Sequence, residues 1–137
     1  MKVDGGCYCG AVRYTAEGDP LFSGQCHCRE CQYISGGAPN LVMGMPEGGF
    51  SYRKGEAKSF KRSDLGAAAV TREFCPDCGT HLLSRAPTVP GAVLLKIGTF
   101  DDPTLFSGPQ VVIYTIDKQP FHHVPDGVPT FERVPGR

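Results

Sequence analysis

The spacing of seven cysteines constrains this chain more than any other feature of its sequence. They form three groups: Cys7 and Cys9; Cys26, Cys28 and Cys31; and Cys75 and Cys78. An odd number of cysteines cannot pair fully into disulfides within one chain, and C-x-C and C-x-x-C are spacings of metal ligands. We therefore predict metal binding, and zinc is the ion that a tetrahedral set of thiolates favours.

The last group, CPDCG at 75–79, has the form of a zinc knuckle. Pro76 sets a turn dihedral and Gly79 can take a positive φ where the chain folds back, so both sulfurs can face one ion. Backbone N–H groups in such a turn point at the thiolates and stabilise their charge. A thioredoxin-like redox pair is the alternative, but that pair needs a βαβ context, and the sequence shows none.

A knuckle supplies two ligands, so a closed zinc site needs a second pair. Cys7 and Cys9 are two residues apart in an extended segment, which puts both side chains on the same face of the chain. Joined to the knuckle, they would complete a site of four cysteines that ties distant parts of the chain together. The remaining cysteines would then form an open site with three ligands.

Spacing alone leaves other ligand sets open. One ion on Cys7, Cys9, Cys26 and Cys28 and a second on Cys31, Cys75 and Cys78 would satisfy the same spacings. The four histidines, His27, His81, His122 and His123, are candidates for a fourth ligand. Of these, His27 is the least favoured, because in an extended run its side chain points away from its two cysteine neighbours.

The length, net charge and apolar runs of the chain limit the classes of protein to which it can belong. A chain of 137 residues fits one domain, predicted here over 1–137. Lys plus Arg and Asp plus Glu are 14 each, so no net charge attracts the chain to nucleic acid or to an anionic membrane. No run resembles a signal peptide or approaches the roughly 18 apolar residues of a membrane span. We therefore expect a reducing, cytoplasmic location, where clustered cysteines indicate metal chemistry.

Short strand-like runs, bounded by Gly and Pro turns, recur along the chain. They lie at 11–18, 41–45, 67–74, 80–86, 92–100 and 110–116, and two more are expected to form a hairpin around Gly55. This regular spacing predicts an all-β fold of short antiparallel strands. One short helix is predicted over 29–35, ended by two glycines.

Three other features are interpreted as structural. The basic run 53–62 is expected to be a solvated hairpin face, because the zero net charge argues against a nucleic-acid reader. His122 and His123 are expected at the surface of a proline-rich tail. Asp101 and Asp102, which precede a proline, are expected to start a turn rather than to form an acid–base pair.

Four motifs, in this order, resemble a known family. They are GGCYCGAVRY (5–14), CHCRECQ (26–32), FCPDCGTHL (74–82) and GTFDDP (98–103). Together they resemble the glutathione-dependent formaldehyde-activating enzymes, a family that includes centromere protein V-like proteins, over nearly the whole chain. The resemblance implies a zinc-stabilised β-tent, shared with methionine sulfoxide reductase B, with at most one or two short helical turns.

The resemblance also implies site roles and an activity. Cys7, Cys9, Cys75 and Cys78 would hold a structural zinc, and Cys26, Cys28 and Cys31 a second, catalytic zinc. The family activity is the condensation of glutathione and formaldehyde to S-hydroxymethylglutathione, classed as a carbon–sulfur lyase. An open zinc position is compatible with it, because it can hold a thiolate close to an aldehyde. Arg29, within the three-cysteine group, is a candidate contact for an anionic group of glutathione, with an ordinary surface arginine as the alternative.

Two other function classes stay open at this point. A non-catalytic binding module would use only the structural zinc, with the three-cysteine group empty, oxidised or closed by a histidine such as His81. A sulfoxide reductase would share the fold, but the metal spacings account for all seven cysteines and leave no free nucleophilic thiol.

Overall fold

The computed structural model describes residues 1–136 and consists mainly of short β-strands in two sheets. The strands are β1 (Lys2–Gly6), β2 (Arg13–Glu17), β3 (Phe22–Cys26), β4 (Asn40–Pro46), β5 (Phe50–Lys54), β6 (Lys58–Phe60), β7 (Thr71–Phe74), β8 (His81–Arg85), β9 (Ala92–Lys96) and β10 (Val111–Ile113). The predicted all-β class is confirmed. Arg137, the last residue of the domain predicted over 1–137, lies outside the described residues.

The helical segments are all short. The predicted helix is confirmed as α1 (Arg29–Ile34), between β3 and β4. The 3-10 turns are Glu47–Gly49, Ser63–Ala68, Ile97–Thr99, Pro103–Leu105 and Thr115–Asp117. Within residues 1–136, the helical turns are therefore more numerous than the one or two expected. No helix in this part of the chain is long and apolar enough to cross a membrane.

The two sheets differ in size. The smaller has the order β1-β2-β5, and the larger has the order β10-β3-β4-β9-β8-β7-β6. The pairings are antiparallel except for that of β10 with β3, which is parallel. This exception is possible because the long segment 27–110 separates the two strands, which leaves ample length for a crossover.

The predicted hairpin around Gly55 is wrong. β5 pairs with β2 in the smaller sheet, whereas β6 pairs with β7 in the larger one. The chain around Gly55 therefore passes from one sheet to the other instead of folding back on itself. Local turn residues were compatible with both paths, and the choice depends on long-range strand pairing.

The other predicted strands are present, and all are shorter than predicted except that at 41–45, which extends over Asn40–Pro46. The runs at 92–100 and 110–116 each end in a 3-10 turn, and the run at 67–74 starts with one. β1 and β3, which were not predicted, contain glycine, and glycine weakens a strand signal. Asp102 caps the turn Pro103–Leu105 through its carboxylate, as expected for a turn.

The core lies between the two sheets. The smaller sheet and its loops contribute Val3, Val12, Tyr14 and Ala16, and the larger contributes Met43, Met45, Leu83, Val93 and Leu95. The Tyr14 hydroxyl is buried and lies 2.8 Å from the Thr99 hydroxyl, so its polar atom has a partner. This core uses one face of the larger sheet.

The other face of the larger sheet carries polar residues beside α1. Cys26 pairs with Asn40, and Val42 pairs with Lys96 across the next strand. Because directly paired residues and residues two apart share a face, Cys26, Asn40 and Lys96 project on the same side. The face opposite the core therefore positions the three-cysteine group.

The turn Glu47–Gly49 leads the chain from the larger sheet into β5 of the smaller one. At Gly49, a Cβ atom would lie 1.8 Å from the backbone oxygen of Glu17 in β2, whereas a Cβ at Gly48 would meet nothing within 4 Å. The close approach of two backbone segments explains the glycine at 49, because backbone atoms cannot yield as a flexible side chain can.

Gly49→Ala is expected to destabilise the fold by about 2 kcal/mol or more, because β2 or the turn must move. Gly48→Ala is the matched control and is expected to stay within about 0.5 kcal/mol of wild type. Thermal unfolding of the zinc-loaded proteins measures both. Equal unfolding temperatures for the two variants would contradict the close approach.

Candidate metal centres

Four cysteine sulfurs converge where the two sheets meet. Cys7 and Cys9 follow β1, and Cys75 and Cys78 lie in the turn between β7 and β8. Their Sγ atoms all lie within 4.8 Å of one another, with Cys7 and Cys9 3.6 Å apart and Cys9 and Cys75 3.8 Å apart. We call this set the four-sulfur cluster.

The backbone around the four-sulfur cluster points donors at the sulfurs. The Val12 N–H donates to Cys7 at 3.2 Å, and the N–H groups of Asp77 and Cys78 donate to Cys75 at 3.3 and 3.4 Å. Gly79 has a φ of 77°, as the knuckle motif predicts. Hydrogen bonds from the side chain and backbone of Thr80 lower the pKa of Cys78 to about 5. These donors favour thiolates.

The other three cysteines form a second set, the three-sulfur cluster. Cys26 ends β3, Cys28 caps α1, and Cys31 lies in the first turn of α1. The Sγ atoms of all three lie within 4.8 Å of one another. The Cys28 sulfur accepts from the Cys31 N–H at 3.3 Å, so the helix start fixes one sulfur against the next.

The three sulfurs of this cluster affect one another's pKa values. Hydrogen bonds from Cys26 and Cys28 lower the pKa of Cys31 to about 2, whereas hydrogen bonds with Cys28 and Cys31 raise the pKa of Cys26. Three crowded sulfurs therefore keep one negative charge and retain protons elsewhere. A divalent cation would allow all three to ionise, since metal binding releases thiol protons.

The geometry selects one of the two ligand partitions left open by spacing. The sets are Cys7, Cys9, Cys75 and Cys78, and Cys26, Cys28 and Cys31. The alternative that joined Cys26 and Cys28 to Cys7 and Cys9 is wrong. Among residues 1–136, no histidine, aspartate or glutamate ligand atom joins either set at that spacing.

His27 lies beside the three-sulfur cluster but faces away from it. Its ring is fully buried, with Nε2 2.9 Å from Gln25 Nε2 and Nδ1 3.0 Å from His122 Nδ1. The Gln25 amide nitrogen can only donate, so His27 Nε2 accepts and His27 Nδ1 donates to His122 Nδ1. His122 then donates from Nε2 to the Gly37 carbonyl at 2.7 Å. The expected direction of the His27 side chain agrees with this network.

The expectation that His122 lies at the surface is wrong, since only 8% of its area is exposed. Its neighbour His123 is exposed. The contact with His27 spans 95 residues of sequence, and no local pattern reveals it. The buried Gln32 amide of α1 donates to the carbonyl of Asp117, which lies shortly before His122 in the chain. The segment that contains Asp117 and His122 therefore helps to hold α1 in place.

Arg29 lies exposed on α1, next to the three-sulfur cluster in sequence. It donates from Nη1 to Gln32 Oε1, and its guanidinium lies 5.1 Å from the centre of the Tyr33 ring. Gln32 is itself fixed by bonds from its Nε2 to the carbonyls of His27 and Asp117. Arg29 is therefore oriented by its neighbours while part of the guanidinium remains open to a ligand.

Sequence reasoning missed the polar residues under the three-sulfur cluster. Asn40 donates from Nδ2 to the Cys31 sulfur at 3.5 Å and accepts at Oδ1 from Lys96 Nζ at 2.6 Å. Burial lowers the pKa of Lys96 to about 8, and the nearby thiolates act in the opposite direction. Arg72 pairs with Glu30 of α1 at 2.7 Å. The one sequence feature that could have indicated these residues is a lysine, Lys96, inside the apolar run 92–97.

Both sulfur clusters fit zinc by the chemistry of their donors. Four thiolates with N–H donors around them match a closed structural site, and three thiolates match a site with an open position. The hydrogen bonds from Val12, Asp77 and Asn40 to sulfur would orient the thiolates around a bound ion. The two cysteine groups can therefore hold metal ions, consistent with zinc.

Comparison with known proteins identifies the family. The family model described as "Glutathione-dependent formaldehyde-activating enzyme" matches residues 2–117. A crystal structure of a Rhodobacter sphaeroides protein, a structural genomics target, has a TM-score of 0.60 and 17% identity over 80% of this chain and 97% of that one, which shows the likeness of fold alone. No curated protein matches the chain. On the match across residues 2–117, the chain belongs to the glutathione-dependent formaldehyde-activating enzyme family.

Proposed function

We propose that the protein is a zinc-dependent carbon–sulfur lyase-type enzyme that condenses glutathione with formaldehyde. In this reaction the S–H bond of glutathione adds across the carbonyl of formaldehyde. A sulfur–carbon bond forms, the carbonyl π bond breaks, and the thiol proton passes to the oxygen to give S-hydroxymethylglutathione. Family membership supports the reaction class, and the residues of the three-sulfur cluster support the site.

The observation that carries the proposal is the unequal size of the two sulfur clusters. One has four sulfurs and the other has three, with no further protein ligand atom of the usual types among the described residues. A catalytic zinc keeps one position for water or substrate, whereas a structural zinc has four protein ligands. We assign Cys26, Cys28 and Cys31 to the catalytic ion and the four-sulfur cluster to the structural one.

Each residue of the three-sulfur cluster would have a defined part. Cys26, Cys28 and Cys31 would hold the ion on the face of the larger sheet opposite the core, and a bound ion would supply an open position for a thiolate. Cys28 is only partly buried, so the cluster is accessible from solvent on one side. Holding the glutathione sulfur in one place beside an aldehyde lowers the entropic part of the barrier.

Arg29 would bind a carboxylate of glutathione. It lies one residue from Cys28, is exposed, and is oriented by Gln32 and Tyr33. An arginine bonded to a carboxylate fixes orientation as well as position, because its donors are planar. The exposed edge of α1 would then orient the tripeptide while the sulfur reaches the cluster.

The alternative of a non-catalytic binding module needs the three-sulfur cluster to be closed or unused. The candidate histidines do not favour closure. His27 and His122 bond to each other, and the imidazole of His81 stacks on Phe74 with ring centroids 5.6 Å apart. We therefore prefer the enzyme, acting as a single domain over 1–137 in the cytoplasm, as the cysteine content and the shared core suggest.

Removing one cysteine from each cluster should distinguish the catalytic zinc from the structural one. We expect two zinc ions per wild-type chain. Cys28→Ser should hold one zinc, lose condensation activity and keep its fold, because serine also caps a helix. Cys78→Ser should lower the unfolding temperature by about 10 °C or more, because zinc at a structural site contributes to folding directly.

The two cysteine variants are matched, since each removes a single sulfur. Metal analysis, thermal unfolding, and condensation assays with glutathione and formaldehyde measure the outcome. If Cys28→Ser keeps full activity, the catalytic assignment is wrong. If both variants unfold alike, the division into structural and catalytic ions is wrong.

Arg29→Gln tests the glutathione contact. We expect KM for glutathione to rise about tenfold while kcat changes less than about twofold, because the lost interaction holds bound substrate and transition state equally. Arg53→Gln, at an exposed position of β5 in the smaller sheet, is the matched control and should leave KM unchanged. Steady-state kinetics that show the same KM for Arg29→Gln and wild type would exclude the contact.

A further inference from the structure

Lys96 is a buried ammonium without a carboxylate partner in the described part of the chain. Only 8% of its area is exposed, and the ion pairs among residues 1–136 do not include it. Its hydrogen bond goes to the neutral amide of Asn40 at 2.6 Å. A buried charge is costly unless an opposite charge lies close by, so the compensating charge has to be found elsewhere.

The donor direction is fixed along the line from Lys96 to Cys31. An ammonium can only donate, so the Asn40 atom that meets it is the oxygen Oδ1. The Asn40 Nδ2 group then faces the Cys31 sulfur at 3.5 Å and can only donate to it. The Cys31 sulfur is therefore an acceptor in this chain of bonds, as a thiolate ligand of an ion would be.

The register of the sheet places Lys96 on the same side as the sulfurs. Asn40 pairs with Cys26 across β3 and β4, and Val42, two residues further, pairs with Lys96 across β4 and β9. The cation therefore lies on the face of the sheet that carries the three-sulfur cluster. The thiolates of this cluster are the opposite charge that the buried ammonium lacks.

The other buried cation on this face is already neutralised. Arg72, 7% exposed, donates to Glu30 at 2.7 and 3.2 Å and to Ser84 at 2.9 Å. Its charge therefore serves to hold α1 on the sheet. Lys96 is left as the cation whose charge is available to the three-sulfur cluster.

The formal charge of the cluster shows why a cation is needed. Three thiolates around a divalent ion leave one net negative charge, and a thiolate as fourth ligand adds a second. Without a nearby positive charge, the anionic cluster would bind a neutral fourth ligand in preference to another anion. A buried cation on the protein side shifts this preference toward an anion.

We propose that Lys96, acting through Asn40, is a positioning residue that offsets the negative charge of the three-sulfur cluster and so selects an anionic thiolate as the fourth ligand. The inference rests on the proposed function for the presence of an ion at Cys26, Cys28 and Cys31. It does not depend on glutathione or on formaldehyde, and any small thiolate can test it.

The test compares an anionic with a neutral ligand on the cobalt-loaded protein. Wild type, Lys96→Met and Lys96→Gln are titrated with 2-mercaptoethanol and with imidazole at one pH, and the cobalt absorption bands report the fourth ligand. Cys28→Ser, which lacks the three-sulfur site, gives the background from the other cobalt ion. Lys96→Arg is the matched control that keeps the charge.

We expect both neutral variants to bind 2-mercaptoethanol about tenfold more weakly than wild type, with imidazole binding changed less than about twofold. Lys96→Arg should keep the wild-type ratio of the two affinities. A structural role of Lys96 would weaken both ligands together, so the ratio separates charge from packing. Lys96→Gln keeps a group that can bond to Asn40, which protects the test if Lys96→Met does not fold.

Three results would overturn the inference. The first is a ratio of 2-mercaptoethanol to imidazole affinity that stays at the wild-type value in Lys96→Met and Lys96→Gln. The second is the same change of this ratio in Lys96→Arg as in the neutral variants, and the third is that 2-mercaptoethanol does not shift the cobalt absorption bands of wild type. Condensation assays with glutathione and formaldehyde on wild type are run separately. A changed ratio without condensation would reject the proposed reaction and keep the inference, whereas condensation with an unchanged ratio would do the reverse.

Discussion

The four-sulfur cluster is the constraint on which the arrangement of the two sheets depends. It joins the end of β1 in the smaller sheet to the turn after β7 in the larger one, at the margin of the shared core. A chain of this size buries a modest core, so a zinc ion held by these four thiolates would contribute a large part of its stability. With the sheets fixed at this point, the opposite face of the larger sheet is free to carry the other sulfurs.

The two clusters have the same kind of ligand, the cysteine sulfur, in different surroundings. In the four-sulfur cluster, backbone N–H groups donate to the sulfurs of Cys7 and Cys75. In the three-sulfur cluster, the N–H of Cys31 at the helix start donates to Cys28, and Asn40, which is bonded to Lys96, donates to Cys31. The difference lies in what the fold places around each set, because a thiolate by itself does not decide between structure and catalysis.

Local patterns in the sequence predicted the all-β class, α1 and the cysteines of both clusters, because alternation, turn residues and ligand spacings are local signals. The partition of the cysteines, the path around Gly55 and the burial of His122 could not be predicted in this way. Each depends on a contact between residues far apart in the chain, such as that between His27 and His122, which lie 95 positions apart. Lys96 was overlooked for the same reason, since its partner Asn40 lies 56 residues away.

The long separations also determine the order in which the protein can be completed during synthesis. The contact of Cys9 with Cys75 spans 66 residues, and the parallel pair joins Val111 of β10 to Gly24 of β3. Closing such long loops is slow and costs entropy before any contact is gained. The smaller sheet and the pair of β3 with β4 can form from the first part of the chain alone, whereas β10 and the knuckle join them later. A zinc ion held by all four cysteines of the four-sulfur cluster would require the knuckle to have left the ribosome.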